Sequence, residues 1–188
     1  MARETANRNG ELTFTNNIGG ALVGLGDYVA AEEYLRTTIQ IAELTGQKGW
    51  ISETYRFLAE ACLGQDKLAE AKKIGRQALA LSKEVKAKDL IGAAWLVLGM
   101  IAAKTLEPIT IDGVLYDANS CFSNSLHVFQ ETGMNSERAR ALREWARYAL
   151  QQGDPERGEA MWQEARQIFF ELGMTQAVER MDSQGPGL

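Results

Sequence analysis

Residues 17–42 read NIGGALVGLGDYVAAEEYLRTTIQIA, and the fold follows from this stretch. Ile18, Ala21, Leu22 and Leu25 recur at intervals of three and four, the spacing of a helix with one apolar face. Gly26-Asp27 breaks the pattern with turn chemistry. Ala31, Tyr34, Leu35, Thr38, Ile39 and Ala42 then resume the same period, so the stretch reads as two helices joined by a tight turn, an αα-hairpin.

Outward from this hairpin the chain repeats itself. Gly19, Ala59 and Gly99 are 40 and 40 apart; Ala31 and Ala71 are 40 apart, Ala71 and Ala118 are 47, and Ala118 and Gly158 are 40 again. A recurring period of this size marks a stacked array. The second unit offers Tyr55, Leu58, Ala61 and Cys62, then Leu68, Ala71, Ile74, Ala78 and Leu81; the fourth offers Leu142, Trp145, Tyr148 and Ala149, a Gly153-Asp154-Pro155 turn, then Met161, Trp162, Ala165, Ile168 and Phe169. Small residues have a packing reason, because helices approach within about 8–10 Å only where side chains are slight. Gly19, Ala59, Gly99 and Ala146 form that column on the first helices, and Ala31, Ala71, Ala118 and Gly158 answer it on the second. Thr38, Ala78, Ser125 and Ala165 form a third column facing the following unit.

These columns, with Asn17-Ile18-Gly19, Gly26-Asp27-Tyr28 and Ala31-Glu32-Glu33-Tyr34-Leu35, resemble the tetratricopeptide (TPR) repeat over residues 2–182. The period departs from the usual 34, and the proline that commonly ends the second helix is missing. The chain looks like the long-helix variety found in bacterial signalling ATPases, cyclases and transcription activators. The resemblance implies an all-α solenoid: four antiparallel helix pairs in a right-handed superhelix, closed by a short C-terminal capping helix. The expected repeats are 8–47, 48–87, 88–134 and 135–174, with a cap at 175–182 and a flexible tail at 183–188.

Two places break the regularity. Residues 2–8 align with 42–48 at an offset of 40, the end of a second helix and the loop after it, so the chain is expected to begin inside a repeat; a short polar extension is the alternative. In the third unit seven extra residues fall near 105–114. There Asp112-Gly113 signals a tight turn and Ile109-Thr110-Ile111 favours extended chain. This insertion is expected to project from one rim as a surface excursion, with a lid or contact loop as the alternative.

Composition narrows the function classes. The 188 residues are 45% apolar and 24% charged, and a formal charge of −5 opposes general binding to nucleic acid or anionic membranes. The longest apolar run, Leu90–Ala103, has 14 residues, short of the roughly 18–20 that cross a bilayer. Met1–Gly10 is too polar for a signal peptide. Cys62 and Cys121 occupy apolar periodic positions without a CxxC pattern and read as reduced core residues of a cytoplasmic protein. No cofactor, metal-ligand cluster, phosphate loop or nucleophile motif is visible, and the lone His127 reads as a helix-surface residue, so catalysis is not expected.

The resemblance also supplies a frame in which the first helices line a concave face. It points Thr13, Asn16, Asn17, Gly20 and Val23 into the groove from unit one, and Glu53, Arg56, Glu60 and Leu63 from unit two. Unit three contributes Ala93, Leu96, Val97, Met100 and Ala103, and unit four Arg140, Arg143, Arg147 and Gln151. The unit-three helix is apolar all round: either a narrow groove hides Leu96 and Met100, or a partner covers them. Arg140, Arg143 and Arg147, three and four apart, converge on one helix face and suit carboxylates or phosphates. The alternative is a solvated face in which Arg140 pairs with Glu144 and Arg143 with Glu159, while Arg56 is satisfied locally by Glu53 and Glu60. Asn16 and Asn17, with Arg56 as the basic partner, are too few for the carboxylate clamp that some TPR domains carry. The leading expectation is a non-enzymatic scaffold that binds a protein or peptide, an acidic segment with one apolar anchor. Alternatives are a ligand-sensing regulatory part of a larger signalling protein, and a unit that self-associates through its N-terminal edge.

Overall fold

Left-handed residues punctuate the chain at intervals of twenty. Gly26, Gly46, Asp66, Lys86 and Leu106 all take positive φ, and after the insertion Gly133, Gly153 and Gly173 do the same. Each ends a helix, and most close it alike: Asp27, Lys67, Ala87, Asp154 and Met174 each send a backbone N–H to a carbonyl five residues back, at 2.9–3.1 Å. The half-repeat is therefore twenty residues, one helix and its stop. The computed structural model describes residues 2–185, with side chains from residue 10 onward. Among them lie α1 (Ala2–Leu25), α2 (Tyr28–Thr45), α3 (Lys48–Gly64), α4 (Leu68–Glu84), α5 (Lys88–Thr105), α6 (Ala118–Thr132), α7 (Asn135–Gln151), α8 (Pro155–Glu171) and α9 (Thr175–Gln184). Asp27, Asp117 and Asp154 cap α2, α6 and α8, each accepting a backbone N–H from the first turn.

The pairs α1/α2, α3/α4, α5/α6 and α7/α8 stack in order, each second helix also packing on the first helix of the next pair. The result is an all-α solenoid. The small-residue columns sit at its crossings. A methyl group on Gly19 would lie 2.5 Å from Leu35, and one on Gly99 would lie 2.8 Å from Phe122. One on Gly158 would lie 2.5 Å from Leu150 and 3.1 Å from the Ala146 carbonyl. The third column is buried throughout, and its polar members are satisfied: Thr38 donates to Thr15 at 2.8 Å and Ser125 to the Gly92 carbonyl at 2.9 Å. Cys62 and Cys121 are free thiols in the core. No helix among the described residues is long and apolar enough to cross a membrane.

Three expectations need correction. Residues 2–10 continue α1 without a turn, so no repeat boundary falls there. Ala6 stands where Gly46 stands one period later, and alanine extends a helix where glycine can stop one. At the other end α9 runs to Gln184, two residues beyond the expected cap; the rest of the expected tail, 186–188, lies outside the described residues. The insertion, finally, lies at the surface as expected but is an ordered, anchored element. It forms an antiparallel hairpin, β1 (Ile109–Ile111) and β2 (Val114–Tyr116), turned at Asp112-Gly113 with both φ positive. Ile109 is fully buried, and Tyr116 packs on Trp95 with ring centroids 4.9 Å apart.

Candidate functional site

The first helices form an inner wall: α1 touches α3, α3 touches α5 and α5 touches α7. A cleft of about 570 Å³ opens on it. Gly20 and Val23 of α1 bound one side and Ala177 and Arg180 of α9 the other; between them lie Phe57 and Glu60 of α3, Met100 of α5, and Arg140, Arg143 and Arg147 of α7.

The arginines are placed as the helical spacing requires, but carboxylates hold each of them. Arg140 is ion-paired to Glu60, two repeats away on α3, and lies 3.8 Å from Glu137 on its own helix. The charge of Glu60 raises the Arg140 pKa and keeps the guanidinium charged despite burial. Arg143 grips Glu144 through Nε at 2.9 Å and Nη2 at 2.7 Å. Arg147 approaches the same carboxylate at 3.5 Å and donates to Gln184 of α9 at 2.7 Å. Burial would push Glu144 up, yet Arg143 and Arg147 outweigh it and hold its pKa below the usual value. The pairs expected with Glu144 for Arg140 and Glu159 for Arg143 are replaced by these, because the curvature brings α3 within reach of α7.

Arg56 differs from the other three. It lies over the Phe57 ring, 3.6 Å from its centroid, and its buried Nε has no hydrogen-bond partner. The expected local pairing fails because Glu60 is taken by Arg140. Burial first, and then the charge of Arg140, lower its pKa.

Other expected groove residues are withdrawn from the surface, Ala93 and Val97 of α5 among them. Leu96 is 2% exposed, enclosed because α5 is packed by α3, α4, α6 and α7 at once. Asn16 is 1% exposed, and its side-chain oxygen accepts a hydrogen bond from Thr54 at 2.9 Å, tying α1 to α3. Asn17 is exposed on α1, outside the cleft. Met100 remains part-exposed and lines the cleft. Phe57, Glu137 and Arg180 complete the site and were not singled out from sequence, while Glu144 was named there as a partner of Arg140; the acids were legible only as i±1, i±3 and i±4 neighbours of the arginines.

Elsewhere, His127 is exposed and lies 3.3 Å from Glu131, one turn along α6. Glu32, Cys62 and Glu70 bring three metal-capable atoms within 4.8 Å of one another. Protein cations already occupy the two carboxylates: Lys67 donates to Glu32 at 2.6 Å, and Arg36 reaches Glu32 at 2.7 Å and Glu70 at 2.6 Å. Burial pushes the Cys62 thiol up to about 11. The cluster is an ion-pair clip joining α2 to α4.

Residues 11–84 match the family model described as tetratricopeptide repeat. No curated protein sequence matches the chain. Among solved structures, the crystal structure of BtubC (BKLC) from P. vanneervenii resembles it with a TM-score of 0.59 at 17% identity, covering 89% of this chain and 72% of that one. At that identity the likeness is one of fold.

Proposed function

We propose that the chain, whose residues 11–84 match the tetratricopeptide-repeat model and whose fold is an all-α solenoid, is a non-enzymatic scaffold holding a segment of another protein in its inner cleft. Repeats of this family generally mediate protein–protein interaction. The observation that carries the reading is the uneven pairing at the inner wall: Arg140, Arg143 and Arg147 line the cleft and have carboxylate partners, whereas Arg56, which lies over the cleft residue Phe57 without itself lining the cleft, has neither a hydrogen bond nor an ion pair among the described residues. A partly desolvated, unpaired guanidinium gains most from an incoming carboxylate. Phe57, which Arg56 covers, and Met100 both line the cleft and offer the apolar contact that was expected of Leu96 and Met100. The ligand is thus an acidic segment with one apolar anchor, and the two buried thiols suit a reducing, cytoplasmic setting.

Affinity capture with mass spectrometry, repeated with the Arg143→Glu, Arg147→Glu double variant, tests it. Partners should be lost from the double variant while its helical content is kept. Unchanged partners would reduce those arginines to structural ion pairs.

A second reading is self-association through α1, favoured by the exposure of Phe14 (65%) and Leu25 (73%). Their counterparts forty residues later, Thr54 and Gln65, are buried or bonded to the preceding hairpin. Light scattering over a hundredfold concentration range should show the mass rising; a constant monomer mass removes this reading.

A further inference from the structure

Laid over one another at an offset of forty, the outer faces of the second and third units differ in what covers them. In the third, the β1–β2 hairpin occupies the gap beside α4 and against α6. Asp112 pairs with Lys83 at 3.4 Å, Glu107 with Lys72 at 3.1 Å, Ile109 is fully buried, and Tyr116 covers Trp95 of α5. The hairpin flanks Arg76, Leu79, Ala80 and Lys83 of α4. These stand forty residues after Arg36, Ile39, Gln40 and Glu43 of α2, and Trp95 stands forty after Tyr55.

That earlier set lines a cleft between α2 and α4, in two lobes of about 590 and about 370 Å³ that share Tyr55 and Gln77. Under the hairpin, Leu79 is 1% and Trp95 7% exposed. Ile39 and Tyr55, at the same positions in the open unit, remain part-exposed. The two units therefore build one socket twice; the chain roofs one copy with its own extended strand, with about 470 Å³ remaining between strand and α4, and leaves the other open. The charges differ in sign. Glu43 replaces Lys83, and no hydrogen bond or ion pair engages its carboxylate among the described residues.

We propose that the α2–α4 cleft is a docking socket for an extended segment of a partner protein. The segment presents apolar side chains at two alternate positions, as Ile109 and Ile111 do, followed by a basic residue where the hairpin has Asp112. Alternation suits it because a strand sends every second side chain to one face, and the basic residue meets Glu43 as Asp112 meets Lys83. This surface lies opposite the inner cleft and is independent of it.

The test titrates the isotopically labelled full chain with a synthetic peptide of residues 107–116 carrying Asp112→Lys, followed by amide resonances. Saturable shifts around Ile39, Tyr55 and Ile74 are expected, with at least tenfold weaker binding in Ile39→Glu. The unaltered peptide should bind several-fold more weakly. Because Ile39→Glu could disturb folding, the exposed Glu43→Lys variant serves as a second arm, and it should reverse the preference between the two peptides. Absence of shifts at millimolar peptide, or a preference unmoved by Glu43→Lys, overturns the proposal. Shifts confined to Phe57 and Met100 also overturn it while leaving the inner-cleft reading standing; loss of captured partners from the arginine double variant bears on that reading alone.

Discussion

Leu106 shows how much a single backbone position is asked to do. It closes α5 in the left-handed region, φ 54, where Gly26 and Gly46 close earlier helices. A side chain there crowds the following carbonyl at a cost of about 1–2 kcal/mol, and glycine avoids it for about 0.5–1 kcal/mol of extra unfolded-state entropy. Leu106 is 69% exposed, so little burial is forfeited on removing it. Leu106→Gly should therefore raise stability by about 0.5–1 kcal/mol in chemical denaturation; a loss would mean that the leucine holds the insertion in place. The same position explains what was missed in the sequence. Glycines at 26, 46, 133, 153 and 173 are regular, but Asp66, Lys86 and Leu106 interrupt them, so the twenty-residue half-period was hidden behind side chains that the backbone forces into an unusual conformation.

At the scale of elements, apolar spacing and small residues were enough to show consecutive helix pairs, because those signals are local or repeat at fixed offset. The ion pairs were not legible. Arg140 and Glu60 are 80 residues apart in sequence, and their meeting depends on the curvature of the stack rather than on either helix. The burial of Leu96 has the same origin. The insertion was legible as turn and strand but not as a docked hairpin, since nothing local distinguishes Ile109 in a core from Ile109 in solvent. Glu32 illustrates how helices are clipped across the turns: it accepts from Arg36 of α2 and from Gln65 and Lys67 at the α3–α4 turn. Burial alone would raise its pKa, but these hydrogen bonds, led by Lys67, outweigh burial and bring it from 4.5 to about 2. A depressed carboxylate pKa contributes stability that is complete above the unfolded value and lost as pH falls through the folded one. Glu32→Gln should therefore lower the melting temperature at pH 7, and the difference from wild type should close between pH 4.5 and pH 2. A difference independent of pH would assign the effect to packing.

Over the whole molecule, like hairpins nest through glycine and alanine columns and curve until the first helices face one another across an inner cleft. Neighbouring units bury each other's apolar faces, as expected of a quasi-one-dimensional array. The pair Arg140–Glu60 is the sharpest witness to that curvature, because it joins α7 to α3 past the intervening pair of helices. A straight stack, or a bundle with other neighbours, would leave the two groups uncoupled. The decisive measurement is a double-mutant cycle on Arg140→Ala and Glu60→Ala by chemical denaturation. A coupling of about 1 kcal/mol or more is predicted for a part-buried pair; additive effects of the two substitutions, within about 0.3 kcal/mol, would contradict the curved inner wall.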